Sequence, residues 1–166
     1  MINISMLSGR FSVRRMDDSD ADALLLFCRE NVLYYQYCKA EPSREQILND
    51  LHITPPGVGP DDKYYVGFFR DGELAAVMDY IDGYPAPDKG FIGFFMMNAA
   101  LQGKQIGSGI IRDVCAYLKR TGKTAVRLAM AEDNPQAGHF WKKNGFVVIG
   151  QAAMEGWTAL VAEKLL

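Results

Sequence analysis

Phe91-Ile92-Gly93-Phe94-Phe95-Met96-Met97-Asn98, followed by Leu101-Gln102-Gly103-Lys104-Gln105-Ile106-Gly107-Ser108-Gly109, is the stretch that decides the fold. The first run is apolar at nearly every position, the pattern of a strand covered on both faces, which predicts a central strand. Ile106, Ile110, Val114 and Leu118 then recur at four-residue spacing with Ile111 and Cys115 beside them, predicting a helix that ends at Thr121-Gly122. A Gly-rich turn joining a buried strand to a helix aims free backbone N–H groups and the positive end of the helix dipole at one point, which suits a phosphate or pyrophosphate. Glycines serving only a tight turn fit the spacing equally well. Two better-known phosphate motifs do not fit: Gly107 and Gly109 are followed by Ile110, Ile111 and Arg112 rather than by the rest of G-x-G-x-x-G, and no Gly-Lys-Ser/Thr closes the turn.

Upstream of this unit, Lys63 to Arg70 and Glu73 to Ile81 flank the hairpin signal Asp71-Gly72 and read as antiparallel strands. Phe11 to Met16 alternates as a half-buried strand, and Asp17 to Asp20 offer caps for one helix running from Ala21 to about Tyr35. Ser43 with Gln46 forms a capping box for a second helix, which stops before Pro55-Pro56. Downstream, Thr124 to Met130 alternates as a strand, Asn134-Pro135 caps a helix that Asn144-Gly145 ends, and Phe146 to Ile149 and Trp157 to Glu163 close the chain as strands. The order βααβββαβαββ predicts an α/β (α+β) single domain over residues 11–166, a mixed, mostly antiparallel central sheet flanked by helices, with residues 1–10 as an N-terminal tail.

Composition narrows the function classes. The 166 residues include 18 basic and 20 acidic side chains, a formal net charge of −2, so no broad positive field attracts nucleic acid or an anionic membrane. The longest apolar run, Ala23 to Cys28, is far short of the roughly 20 residues that cross a bilayer, and the N-terminus lacks the basic and apolar regions of a secretory signal. A cytoplasmic protein is expected. Cys28, Cys38 and Cys115 show no C-x-x-C spacing and the histidines are His52 and His139 alone, so neither a disulfide framework nor a metal site is indicated.

Gln102-Gly103-Lys104-Gln105-Ile106-Gly107 resembles the Q/R-x-x-G-x-G/A signature of the GNAT superfamily, the acyl-CoA-dependent N-acyltransferases. The resemblance extends to Asn134, Phe140, Trp141, Gly145 and Phe146, to the opening Val13-Arg14-Arg15, and to the whole order of elements. It implies acetyl-CoA as co-substrate, without a metal, and acetyl transfer to a primary amine by direct attack within a ternary complex. It further implies that the pyrophosphate lies on the N–H groups of Gly103, Lys104, Gln105, Ile106, Gly107 and Ser108 beside Gln102, where a side chain at Gly107 would block close approach. The pantetheine arm would pair with the backbone of Phe95, Met96 and Met97, and the N–H of Met97 would polarise the thioester oxygen. Asn134 would hydrogen-bond the pantetheine amides and Trp141 would flank the sulfur.

The sequence departs from the family pattern at Gln105, where glycine is usual, and at Trp141, where many members carry a tyrosine that protonates the departing thiolate. A thiol titrates near about 8.5, so its thiolate leaves adequately without an acid, whereas an alkylamine, with a pKa near roughly 10.4, needs a base. Asp79 and Glu132 are the candidate bases, with Asp82 and Asp133 beside them. The resembled family places its acceptor pocket at Tyr34 to Ser43 and Asp79 to Asp88, where Tyr34, Tyr35, Tyr37, Tyr80 and Tyr84 are candidates to line it. A small-molecule or peptide amine is the expected partner, and a homodimer is compatible with the family. The missing tyrosine also motivates an alternative from another class, a non-catalytic acyl-CoA-binding or sensing module.

Overall fold

The computed structural model describes residues 2–38 and 41–166; residues 1, 39 and 40 and the side chain of Cys38 lie outside the description. Near-continuous apolar runs on either side of the Asp71-Gly72 turn produce β2 (Lys63–Arg70) and β3 (Glu73–Asp82), which are buried on both faces and pair antiparallel along their length. β1 (Ser12–Arg15) adds to the outer edge of β2, and β4 (Lys89–Met97) pairs antiparallel with β3. Then follow α4 (Ile106–Arg120), β5 (Ala125–Ala131), α5 (Pro135–Lys143), β6 (Val147–Met154) and β7 (Trp157–Leu165). The sheet order is β1-β2-β3-β4-β5-β7-β6, with β4–β5 the one parallel pair and β4 at the centre, as the apolar run predicts.

Two apolar clusters cover the faces. On one, Ile110, Ile111, Val114 and Leu118 of α4 pack with Trp141 of α5, Phe146, Val66, Phe68 and Met78. On the other, Leu24, Phe27 and Cys28 of α1 (Ala21–Arg29) pack with Ile47 and Leu51 of α3 (Arg44–His52) over Tyr65, Val77 and Met96. The free thiols of Cys28 and Cys115 are buried within these layers.

The helix expected from Ala21 to Tyr35 is two helices, α1 and α2 (Val32–Cys38). The break falls at Asn31, whose side-chain amide donates to the Phe27 carbonyl and competes with the helical ladder. The capping box is half made: Ser43 Oγ accepts the Gln46 N–H, but the Gln46 side chain reaches forward to Asp50. The expected N-terminal tail is packed down. Ile2 and Leu7 are buried in the α4-side cluster, and the Ile2 N–H donates to Tyr64 Oη. β6 continues beyond the expected Ile149, to Met154, and as the sheet's outer edge it is exposed along its whole length.

The central pair is short. β4 and β5 are in register only from Lys89–Ile92 against Ala125–Leu128, four residue pairs, although both strands continue. Charge reinforces that closed end: Glu163 of β7 accepts a hydrogen bond from Arg127 of β5 and lies 3.6 Å from Lys89 Nζ of β4.

Candidate active site

The gap between β4 and β5 is built into the register of β4. Asp79 pairs with Phe94 and Tyr80 with Ile92, so Gly93 is an extra residue, a bulge that bends β4 where its pairing with β5 ends. Past the bulge, Asn98 N–H donates to the Ala75 carbonyl on β3. Strand alternation then directs the backbone groups of Met96 and Phe94 toward β3 and those of Met97 and Phe95 the other way, into the gap. Met96 therefore contributes surface to the cleft, while its backbone, expected to pair with a ligand, is engaged by β3.

The open edge leads into the turn after β4. Gly103 has a φ of 73° and Gln105 a φ of 59°, so the chain reverses through two left-handed residues before Ile106 starts α4. At Gln105 this conformation costs a side-chain residue roughly 1–2 kcal/mol, which explains why glycine suits that position. Among the described residues, none of the backbone N–H groups from Gly103 to Ser108 donates to a protein acceptor; the first that does is Gly109, to the Gln105 carbonyl. Consecutive unpaired donors at the positive end of a 15-residue helix form an anion site.

Gly107 has a packing reason as well as the expected one. A Cβ there would lie 3.1 Å from Met97 Cγ and 3.3 Å from Phe140, so its absence lets α4 sit against the end of β4 and against α5. The Gln102 side chain is likewise engaged by protein, donating to Asn31 Oδ1 at 2.6 Å and thus tying the α1–α2 junction to the turn. Lys104 turns back to the Ala100 carbonyl and does not line the cleft. Ser108 Oγ accepts from Asn144 Nδ2 of the α5 terminus, and Ile106 packs against the α4-side core.

The gap and the turn belong to one cleft of about 950 Å³. Its far wall is aromatic: Trp141 is buried between Phe140 and Phe146, and Phe95 stacks on Phe140. Asn134 is buried at the cleft; its Oδ1 caps α5 by accepting the Ala137 N–H, while its Nδ2 donates to no described residue. The same cleft is lined by Glu30, Val32, Leu33, Tyr34 and Tyr37 and by the β6–β7 tip, Glu155 to Trp157. Of the tyrosines named from sequence, Tyr34 and Tyr37 are in this wall. Tyr80 is core, Tyr84 packs on Phe91, and Tyr35 lies against Cys28. The stretch Tyr34 to Ser43 reaches the residues outside the description. Sequence reasoning missed the β6–β7 tip, because a hairpin tip enters the cleft only through tertiary placement; the Trp157 beside Glu155-Gly156 was the available signal.

The candidate bases separate. Glu132 is exposed outside the cleft wall, with its N–H bonded to the Thr158 carbonyl, and Asp82 is paired with Lys123 at 2.6 Å. Asp79 sits directly behind the wall: a Cβ on Gly93, which lines the cleft, would be 2.8 Å from Asp79 Oδ2. That oxygen accepts from Lys63 Nζ at 2.7 Å, and Oδ1 is buried without a partner among the described residues. Burial pushes the Asp79 carboxyl above the usual carboxylate range, against the opposing pull of Lys63. Among the described residues no helix is long and apolar enough to cross a membrane, and no cluster of three or more His, Cys, Asp or Glu could hold a metal.

A sheet split at its centre, with the split running into an unpaired helix N-terminus, suits a ligand that joins an anionic group to an extended, amide-bearing arm. The sequence pattern of the acetyltransferase (GNAT) family matches residues 25–146, and the chain belongs to that family. It is an acetyltransferase that uses acetyl-CoA, and the turn's donors and the open strand edge fit that co-substrate. Similar solved structures include an acetyltransferase from Thermus thermophilus, with 19% identity over 94% of this chain and 97% of that one and a TM-score of 0.74. The PaiA N-acetyltransferase from Thermoplasma acidophilum, in complex with coenzyme A, has 20% identity over 94% and 99% of the two chains and a TM-score of 0.66. A GCN5-related N-acetyltransferase from Kribbella flavida reaches 26% identity over 95% and 98%, with a TM-score of 0.65. Among curated proteins, no relative matches the chain at the sequence level.

Proposed function

We propose that this acetyltransferase moves the acetyl group to a primary amine by direct attack within a ternary complex. The observation that carries the reading is the continuity of one cleft, from the unpaired N–H groups at 103–108, along the open edge of β4, to the tyrosine-lined end. Acetyl-CoA supplies the activated thioester. The turn holds its pyrophosphate, and Phe95 and Met97 offer backbone groups to its amide-bearing arm as an added strand would. The Met97 N–H, aimed into the gap, stabilises negative charge on the thioester oxygen as the amine adds.

An alkylamine arrives protonated and must lose one proton before its nitrogen can form the new bond. Asp79 takes that proton through a water at Gly93, where the missing side chain leaves the carboxylate within reach of the cleft. The nitrogen of the adduct then gives up its second proton to solvent, the carbon–sulfur bond breaks as the carbonyl re-forms, and the thiolate departs, taking its proton from solvent, since Trp141 has no acidic group to give. Glu30 and Glu155 in the cleft wall favour a cationic amine.

The test is release of free thiol from acetyl-CoA over a panel of amines, with Asp79→Asn alongside. The wild type turns over at least one amine, and kcat/KM rises with pH through a limb lying above the ordinary carboxylate range, because only ionised Asp79 accepts a proton and burial has raised its pKa. Asp79→Asn lowers kcat by about 10²–10⁴-fold and abolishes that limb while the Kd for acetyl-CoA is unchanged. Tight acetyl-CoA binding with no turnover on any amine would favour the sensing module instead.

A further inference from the structure

We propose that Lys63 is the positioning residue of the reaction's base, its ammonium holding the buried Asp79 carboxylate charged and aimed at the cleft wall where Gly93 leaves an opening. The inference rests on the reading of Asp79 as the base and adds to it the group that keeps a buried carboxylate able to accept a proton. The strand register brings the two together. Asp79 of β3 stands opposite Tyr65 of β2, and Lys63 is two residues before Tyr65 on the same face, a diagonal neighbour within reach of a long side chain. Lys63 Nζ donates to Asp79 Oδ2 at 2.7 Å, and that oxygen is the one nearest Gly93, 2.8 Å from where a Cβ would stand.

Lys63 is itself only 4% exposed, which is rare for a lysine, and among the described residues its ion pair is with Asp79 alone. Its place is fixed by its surroundings: Arg15 of β1 donates to the Lys63 carbonyl at 2.9 Å, and the Tyr65 ring centre lies 5.9 Å from Nζ. A buried pair of this kind adds little to a fold, since apolar side chains of similar size are often as stable in its place. Its effect on the carboxyl is larger. Asp79 Oδ1 has no partner among the described residues, and burial favours the neutral acid, which cannot accept a proton. The titratable groups facing Asp79 are Lys63 and Tyr65 on β2 and Asp50 on α3, while β4 presents only Gly93 and Phe94. Tyr65 is kept a neutral phenol by burial, and Asp50, like burial, works against the charged form of Asp79. Lys63 is therefore the group that favours the carboxylate, by hydrogen bond and by charge together.

The experiment follows the pH dependence of the full chain in two ways: the carboxyl-carbon resonance of Asp79, identified by its loss in Asp79→Asn, and kcat/KM for thiol release with an amine that the wild type accepts. Ionised Asp79 is the active form, so a variant that favours the acid moves the rising limb to higher pH. In Lys63→Met the resonance titration and the limb should move up together by about one to three pH units. On the lower part of the limb kcat/KM then falls by about tenfold or more, and it recovers above the new limb. Lys63→Arg, which keeps the charge, should leave both near the wild-type position, and Asp50→Asn should move both the other way. The Kd for acetyl-CoA stays the same throughout. Because Lys63→Met leaves a buried carboxyl unpaired, the same change is also made on Asp79→Asn, where it should cost no further activity. A resonance titration unmoved by Lys63→Met, a fall in rate equal at every pH, or a further loss on Asp79→Asn would overturn this inference, while the base assignment, judged by Asp79→Asn alone, stands. A limb that persists in Asp79→Asn, or no turnover on any amine, would overturn both.

Discussion

At Gly107 an absent side chain has a tertiary cause. The resemblance predicts glycine there so that a pyrophosphate can approach, and Met97 and Phe140 add a second constraint by leaving only 3.1–3.3 Å for a Cβ. Gly107→Ala therefore acts through packing: α4 shifts from the end of β4, and the thermal midpoint falls by several degrees together with acetyl-CoA affinity, as a melting series with and without ligand would show. A loss of affinity at unchanged midpoint would return the role to the ligand. The reason for Gly107 was not legible because neither Met97 nor Phe140 can be placed against it from local spacing. Gln105 was legible in part: the signature marks it as a position where glycine is usual, and only its φ of 59° says why. Asp79 could be named as a candidate from the sequence, but its advantage over Glu132 depends on the bulge at Gly93, which no periodicity reports.

Among the elements, β4 illustrates what patterning does and does not convey. Its unbroken apolar character predicts a central strand, and that is where it lies. The same character hides the fact that its far half has a partner on one side only, since Phe95 and Met97 look alike whether their backbone groups meet a strand or an empty gap. Because the Met97 N–H is not used by β3, Met97→Pro removes one donor from the gap while sparing the β3 ladder. We expect kcat to fall by about 10²-fold or more, the Kd of acetyl-CoA to change much less, and far-UV circular dichroism to stay as in the wild type. The split of the first helix was hidden for a related reason. Asn31 sits in an otherwise helical pattern, and its side chain is held both by the Phe27 carbonyl and by Gln102, 71 positions away.

For the molecule as a whole, family and fold class were readable because motif, downstream Asn-to-Gly-Phe block and element order agree with one another. The remainder of the cleft wall was not, since it is assembled from α2, β4 and the β6–β7 tip, segments far apart in the chain. Ligand linkage offers a global check. At about 100 times its Kd, acetyl-CoA adds roughly 2.7 kcal/mol to the native state, which for a chain of this length raises the unfolding midpoint by about 5–10 °C. CoA should produce a comparable rise and ATP little, read by differential scanning fluorimetry. The charges at the closed end of the central pair set an acid limit. Arg127, then Lys89, hold the Glu163 carboxyl below its usual pKa, so its contribution is present above the ordinary glutamate range and is lost as pH falls through the lowered value.

Four residue pairs at one end of the central seam make this sheet, in mechanical terms, two stiff blades on a hinge, β1 to β4 on one side and β5, β7 and β6 on the other. A co-substrate lying between them acts as a splint, tying together surfaces that the polypeptide itself leaves free to breathe. Amide protons of Phe95 and Met97 and of Ala129 and Ala131, which face the gap, should exchange faster than those of β2 and β3 in the free protein, and slow together when acetyl-CoA is added. On the proposed reading, the opening that would admit the donor is also the joint of the sheet, and filling it would make the sheet rigid from edge to edge.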